Sequence, residues 1–422
     1  MTVLCDEPAQ ICARGTCIVA GVEDAGKWQA TRLDELGVLA RGRSRHRPRD
    51  AAHLYGGPHP FVQTGDIKHA GLYVSEYSQS YSEAGLEQSK MWPRGTLCIT
   101  IAANIGDTAI LGFDACFPDS VIGFLADETK CDTRFIKYRF DTVKQQFQQV
   151  SQGAAQDNLS MEKLLALKIE VPPLATQHRI ATILSAYDDL IDNNSRRITL
   201  LEQAARHLYE EWFVRLKFPG HERTRIVNGV PERWEKVFMP EAIEINPTTR
   251  LSDDEEHWWV EMAELATDSM VIQNAVKRDG RSGSKFRNGD TLLARITPCL
   301  ENGKTGYVDF MSDGEAGRGS TEFIVLRSKR VTREFVYCFA RTYHFREHAI
   351  KSMIGASGRQ RVQERCFDEF RVFVPPESLL SLFAESAAPC FQQIKTLHSQ
   401  NKQLRVARDH LLPRLMSGEV AA

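Results

Sequence analysis

Two stretches of this 422-residue chain carry apolar residues at alternating spacings of four and three, the pattern of a helix with one narrow apolar stripe. The first runs Ile180, Leu184, Tyr187, Ile191, Asn194, Ile198, Leu201, Ala205, Leu208, Trp212. Displaced by 203 residues, the second runs Phe383, Ala387, Cys390, Ile394, Leu397, Asn401, Leu404, Arg408, Leu411, Leu415. Proline and glycine nearly vanish from both. Arg408 interrupts the second stripe, and Pro413 should end or kink its helix. A stripe this narrow wants a partner helix, and each copy supplies one for the other; packing of each helix on its own domain is the alternative. From Ile180 to Trp212 is about 50 Å at ~1.5 Å per residue, longer than a small domain needs. Asn194 and Asn401 fall inside the stripes, where a polar residue fixes register at some cost in stability.

The same displacement relates Val171-Pro172-Pro173 to Val374-Pro375-Pro376. Leu164, Leu167 and Ile169 then correspond to Phe367, Phe370 and Val372, which predicts a strand running into each double proline. Upstream, Gly153-Ala154 resembles Gly355-Ala356, the run from Gly95 resembles that from Gly289, and Lys27-Trp28 resembles Arg233-Trp234. The order is kept while the offset drifts, so the halves differ by loop insertions. Short β-like runs, such as residues 96–101 and 323–326, alternate with Gly, Asp and Asn turns. The expected class is α+β, with two pseudo-repeated domains joined by two long antiparallel coiled-coil helices. Residues 1–24 are an N-terminal extension, 25–173 the first domain, 174–216 the first helix, 217–231 a linker, 232–376 the second domain and 377–422 the second helix.

Hydrophobic and charged fractions of 42% and 26% are those of an ordinary folded protein. No run approaches the roughly 18 consecutive apolar residues of a membrane span. The first fifteen residues lack a basic leader with an apolar stretch, so a cytoplasmic protein with no membrane partner is expected. The ten cysteines form no Cys-x-x-Cys pair and have no His at ligand spacing, which argues against structural zinc and a disulfide framework. A net charge of −2 does not mark a nucleic-acid protein, but the distribution is more informative. Arg41, Arg43, Arg45, Arg47 and Arg49 are interleaved with Gly, Ser and Pro, a loop suited to gripping a phosphate backbone. Lys277, Arg278, Arg281, Lys285 and Arg287 form a second cluster. Gln63, Thr64 and Asp66 place base-edge chemistry at an expected strand end, although Gly65-Asp66 reads equally as a turn. Gly358-Arg359-Gln360-Arg361 joins guanidiniums to an amide in a loop that can read bases or grip phosphates. Solvated surface is the alternative reading of each cluster.

No catalytic constellation is expected. An amino-methyltransferase needs a glycine-rich cofactor turn after a strand and an Asn/Asp-Pro-Pro-aromatic motif for the target amine; neither occurs, and Asn246-Pro-Thr is no substitute. Asn302-Gly-Lys-Thr305 suggests a phosphate loop, but the glycine required five residues before Gly303 is Pro298. The pairs Asp188-Asp189 and Asp253-Asp254 are expected to be solvated, so no metal residue is assigned.

The stretch Pro172-Pro-Leu-Ala-Thr-Gln-His-Arg-Ile-Ala-Thr-Ile-Leu-Ser-Ala-Tyr-Asp-Asp-Leu-Ile-Asp-Asn-Asn194, continuing to Leu200-Leu-Glu-Gln203 and Tyr209-Glu-Glu-Trp-Phe213, resembles the central helix of type I restriction-modification specificity subunits. Arg408-Asp-His-Leu-Leu-Pro-Arg-Leu-Met-Ser-Gly-Glu419 resembles that family's distal region. Tyr55-Gly-Gly with Pro60-Phe-Val-Gln-Thr-Gly-Asp-Ile67 resembles the opening of a target-recognition domain, and the second domain departs from it with Trp259-Val-Glu-Met-Ala263. The resemblance implies a non-catalytic subunit whose two target-recognition domains each read half of a bipartite target in double-stranded DNA. It implies helices that bind two modification (methyltransferase) subunits, with restriction (translocase-nuclease) subunits joining the assembly. It also implies S-adenosylmethionine, ATP and magnesium serving those partners, with no cofactor in this chain. An enzyme in its own right with drifted motifs, and a coiled-coil interaction module without DNA, are the competing readings. An assay of the chain alone tests the first, and a salt-dependent shift against duplex DNA tests the second.

Overall fold

The computed structural model of the chain describes residues 28–102, 105–152, 161–166, 168–252, 255–356 and 358–422. The N-terminal extension with Cys5, Cys12 and Cys17, together with Lys27, Gly153-Ala154, Leu167 and Asp253-Asp254, lies outside them. The chain divides into two units, Met1–Asp188 with Ala407–Ala422, and Asp189–Val406. Both mix helices and sheets, so the class is the expected α+β.

In the first unit Gln29–Arg32 follows Trp28 and pairs antiparallel with Lys168–Val171, the strand that runs into Pro172-Pro173. The main sheet has five strands, in the order Gly37–Arg41, Val121–Ala126, Leu97–Thr100, Thr108–Leu111, Tyr73–Val74. Leu97–Thr100 and Thr108–Leu111 are buried at every position, which is why they read as short apolar runs and not as alternation. The helix Thr133–Gln152 packs Phe135 and Tyr138 against Leu97, Ile99 and Ile110. A smaller sheet has four strands, in the order Gln79–Tyr81, Tyr55–Phe61, Ala115–Cys116, Met91–Trp92.

The second unit repeats these pieces. Glu235–Phe238 follows Trp234 and pairs antiparallel with Arg371–Val374, which runs into Pro375-Pro376. The main sheet, with four strands, runs Ile243–Ile245, Phe323–Ser328, Thr291–Ala294, Thr305–Tyr307. Inside it Arg327 makes a bidentate pair with Asp290 at 2.7–2.8 Å, both nearly inaccessible. The smaller sheet runs Val276–Arg278, His257–Val260, Ala316–Gly319, Ser284–Arg287. In both small sheets the middle pair is parallel and the outer pairs antiparallel. Gly95 and Gly289 open corresponding strands with φ of +86° and +89°, a left-handed backbone that strains any side chain. Their amides donate to Leu111 and Val308 carbonyls at 2.9 and 2.8 Å, so the likeness of the two runs is one of hydrogen bonding as well as of letters.

The long helices are Leu174–Tyr209, which closes in a π-helical turn Glu210–Val214, and Glu377–Met416. They are antiparallel. In the first unit Asp188 meets Arg408, while in the second Asn194 meets Asn401 and Tyr209 meets Phe383. The amide of Asn194 donates to Asn401 Oδ1 at 3.0 Å, and Asn401 donates to the Ile191 carbonyl and Ser195 Oγ at 3.2 and 3.1 Å.

Ile180, Leu184, Ile191, Ile198, Phe383, Ile394, Leu397 and Leu415 are buried, but the stripe departs from the apolar series at several places. Asp188, Glu202 and Tyr209 are buried where Tyr187, Leu201 and Leu208 were expected, and Phe391 where Cys390 was. Leu404 and Leu411 are half-buried. The carboxylates take stripe positions because each has buried partners. Asp188 accepts from Tyr138 and Arg408, and Glu202 from Tyr337 and the Met270 amide. Asp188 is therefore not solvated, and Arg408 does not break the stripe but neutralises it. Pro413 does not end its helix either. It is exposed, so the Asp409 carbonyl it leaves without a donor stays at the surface, and the helix continues to Met416.

Candidate nucleic-acid interface

The arginine-rich loop leaves the edge strand Gly37–Arg41 of the main sheet and leads through the turn Ala52–Leu54 into the small sheet. Its start is pinned, because the Gly42 amide donates to Val121 O at 2.9 Å and the Arg43 amide to Phe117 O at 3.0 Å. A Cβ at Gly42 would lie 2.3 Å from two backbone carbonyl oxygens, so only glycine fits. The five arginines are not equivalent. Arg49 is in an ion pair with Asp119 at 2.9 Å and is no longer a free cation. Arg47 donates to the Ser44 and His46 carbonyls at 2.8 Å, and Arg43 reaches the Ser89 carbonyl at 3.5 Å; these partners are neutral and leave the charge uncompensated. Arg41 and Arg45 are exposed, with no side-chain partner among the described residues.

Gln63 and Thr64 do not sit on a strand end. Tyr55–Phe61 finishes two residues earlier, and Gln63 caps the short helix Thr64–His69, its amide bound by Asp66 Oδ2 at 2.8 Å. The Gln63 side chain crosses instead to Gln79, donating to Oε1 at 2.6 Å. Sequence reasoning did not find Gln79.

In the second unit Lys277 and Arg278 lie on the edge strand of the small sheet, over consecutive tryptophans. The Arg278 guanidinium is 3.7 Å from the Trp259 ring centroid and bound to Glu261 at 2.9 Å. Lys277 is 5.1 Å from the Trp258 ring and 3.4 Å from Glu315. Glu315 is held below the usual carboxylate range first by the Ser312 amide, then by the Trp258 indole and Lys277. Trp258 and Glu315 were missed, and Trp259 and Glu261 were noted only in the resemblance and not joined to the basic cluster, because pairing across strands, not neighbourhood in the chain, makes the cluster. Arg281 is exposed with no side-chain partner among the described residues, although its carbonyl accepts from the buried Arg318 at 2.7 Å.

The loop at 358–361 is largely braced. Arg361 is committed to Glu322 through contacts of 2.7–2.9 Å, which hold that carboxyl below its usual range, and it bridges Ile296 and Ile354. The Gln360 carbonyl accepts from the Thr297 amide at 3.0 Å. Arg359 remains exposed, with no side-chain partner among the described residues.

Elsewhere, Lys304 donates to the Met262 carbonyl at 2.8 Å and Thr305 begins a buried strand, so Asn302-Gly-Lys-Thr305 offers no phosphate cradle. Among the described residues no group of three or more His, Cys, Asp or Glu converges as a metal site requires, and no helix is long and apolar enough to cross a membrane. The described cysteines are free. Burial pushes the Cys131 thiol up to about 12, so it packs as an inert side chain.

The fold defines a class, an internally repeated α+β protein with a pair of antiparallel helices. Residues 25–203 match the family model of the type I restriction modification DNA specificity domain. The chain is 22% identical over 431 residues to the type I restriction enzyme MjaIX specificity subunit of Methanocaldococcus jannaschii, covering 94% of this chain and 95% of that protein. It is 29% identical over 174 residues to the EcoAI specificity subunit of Escherichia coli, 39% of this chain and 29% of that protein. The crystal structure of a type-I restriction-modification S subunit from M. genitalium shares the fold, with a TM-score of 0.59 at 15% identity over 94% of this chain and 97% of that one. Residues 25–203 thus match a type I restriction modification DNA specificity domain, and nearly the whole chain is similar to type I restriction enzyme specificity subunits.

Proposed function

We propose that this chain reads a bipartite asymmetric target in double-stranded DNA, one half-site per unit, and carries the modification subunits on its long helices. The observation that carries the reading is the small sheet, which recurs in both units with the same strand order and directions. The loop that enters it in the first unit carries Arg45, and the loop between two of its strands in the second carries Arg281, both exposed with no side-chain partner among the described residues. Guanidiniums on loops position a protein on phosphates, and side chains with base-edge chemistry select the sequence. The differing chemistry of the two small sheets suits two unlike half-sites.

The helices are proposed to bind two modification subunits, with restriction subunits joining that assembly. S-adenosylmethionine, ATP and magnesium then belong to those partners. The assembled complex would be a site-specific deoxyribonuclease and an adenine methyltransferase. The test is a comparison of the purified chain, alone and with its modification subunit, for methyl transfer and for duplex binding over a salt series. The expected result is methylation only with the partner and a steep fall of affinity with salt. Turnover by the chain alone, above contaminant level, would contradict it.

A further inference from the structure

The strand registers of the two small sheets single out one polar bridge in each unit. In the first, Phe61 faces Gln79 on one side and Cys116 on the other; in the second, Trp259 faces Val276 and Arg318. The fourth strands fix this alignment. Buried Trp92 faces Ala115, one residue before Cys116, and buried Phe286 faces Gly317, one residue before Arg318. Gln63 stands two residues beyond Phe61, and Glu261 two beyond Trp259. Each follows its strand and reaches across to the edge strand, Gln63 to the residue opposite Phe61 and Glu261 to Arg278, two residues beyond Val276, the residue opposite Trp259. Gln63 donates to Gln79 Oε1 at 2.6 Å, and Glu261 accepts from Arg278 at 2.9 Å.

Each small sheet thus carries one polar bridge from the parallel-paired strand's exit to the edge strand, with different chemistry. Two amides offer both donors and acceptors, which match the N6 donor and N7 acceptor of adenine. A carboxylate beside a guanidinium matches a G·C pair, with the carboxylate accepting from cytosine N4 and the fork donating to guanine O6 and N7. Arg278 and Glu261 are 44% and 52% exposed, and water screens a pair this exposed, so a base edge can exchange into it. The Trp259 ring 3.7 Å away holds the guanidinium in place while its outer N–H groups remain available.

We infer that Gln63 with Gln79, and Glu261 with Arg278, are base-reading pairs of the two small sheets, the first for an A·T pair in one half-site and the second for a G·C pair in the other. This rests on the proposal that each unit reads one half-site. The test maps methylated sites in DNA from cells carrying the whole complex with Gln63→Ala, Arg278→Ala or Glu261→Gln. Glu261→Gln keeps the shape and the tryptophan shelf if Arg278→Ala assembles poorly. Arg278→Ala and Glu261→Gln should relax one G·C position of one half-site, and Gln63→Ala one A·T position of the other, with discrimination there falling about 10- to 100-fold. The salt slope of duplex binding should not change. Intact half-sites in variants that still methylate would overturn the inference. So would a slope reduced by about one with specificity kept, because Arg278 would then be a phosphate contact. A wild-type complex with no bipartite motif would instead refute the half-site reading itself.

Discussion

Arg408 stands where the second helix should carry an apolar side chain, and its partner Asp188 stands in the stripe of the first helix. A buried carboxylate that loses its guanidinium keeps the desolvation cost without the attraction. Arg408→Ala is therefore expected to destabilise the first unit by about 3 kcal/mol. Adding Asp188→Ala should cost less than the sum of the two single changes, as denaturant midpoints in a double-mutant cycle would show. A second residue-scale test lies in a cavity of the second unit lined by Trp258, Asp309, Lys395, His398 and Lys402. Burial lifts the Asp309 carboxyl to about 6 against the pull of Lys395 and Lys402, and lowers the His398 imidazole to about 4. With its folded value above its unfolded one, Asp309 contributes stability below pH ~4 that is lost as pH rises through about 6. Asp309→Asn should then stabilise the protein at pH 8, by at most about 3 kcal/mol, and much less at pH 4. Equal gains at both pH values would contradict that account. Arg43, Arg45 and Arg47 changed together to Ala should weaken binding to every duplex and flatten its salt dependence, whereas Arg49→Ala, already paired with Asp119, should do less.

At the scale of elements, the heptad spacing of the long helices, the double prolines and the glycine-led strands were legible because each follows from local chemistry. A strand buried at every position reads as an apolar run, and a left-handed turn demands glycine. The stripe's course was legible only in part, because apolar identity was taken for burial. Asp188 and Glu202 are buried through partners distant in the chain, Tyr138, Arg408 and Tyr337, which no spacing reveals. The candidate interface was less legible still. The basic residues were found, but their acidic and aromatic partners lie far along the chain, on neighbouring strands and turns, so Arg49 and Arg361 looked as free as Arg45 and Arg359. If the paired helices set the gap between half-sites, a heptad inserted into both near Asn194 and Asn401 keeps the stripe in phase and adds about 10 Å. The gap mapped by methylation should grow by about three base pairs. An unchanged gap in a variant that assembles would remove the helices as the ruler.

For the whole molecule, the internal repeat is the central fact, since both units carry a main sheet, of five strands in one and four in the other, a four-stranded small sheet and a strand before a double proline. On the proposed function the two units read DNA independently. The most direct measurement replaces residues 30–165 with the same region of a related subunit and maps methylated adenines, with the modification subunit present, before and after. One half of the target should change while the other keeps its sequence. A simultaneous change in both halves, or no change in either from a complex that still methylates, would contradict the account.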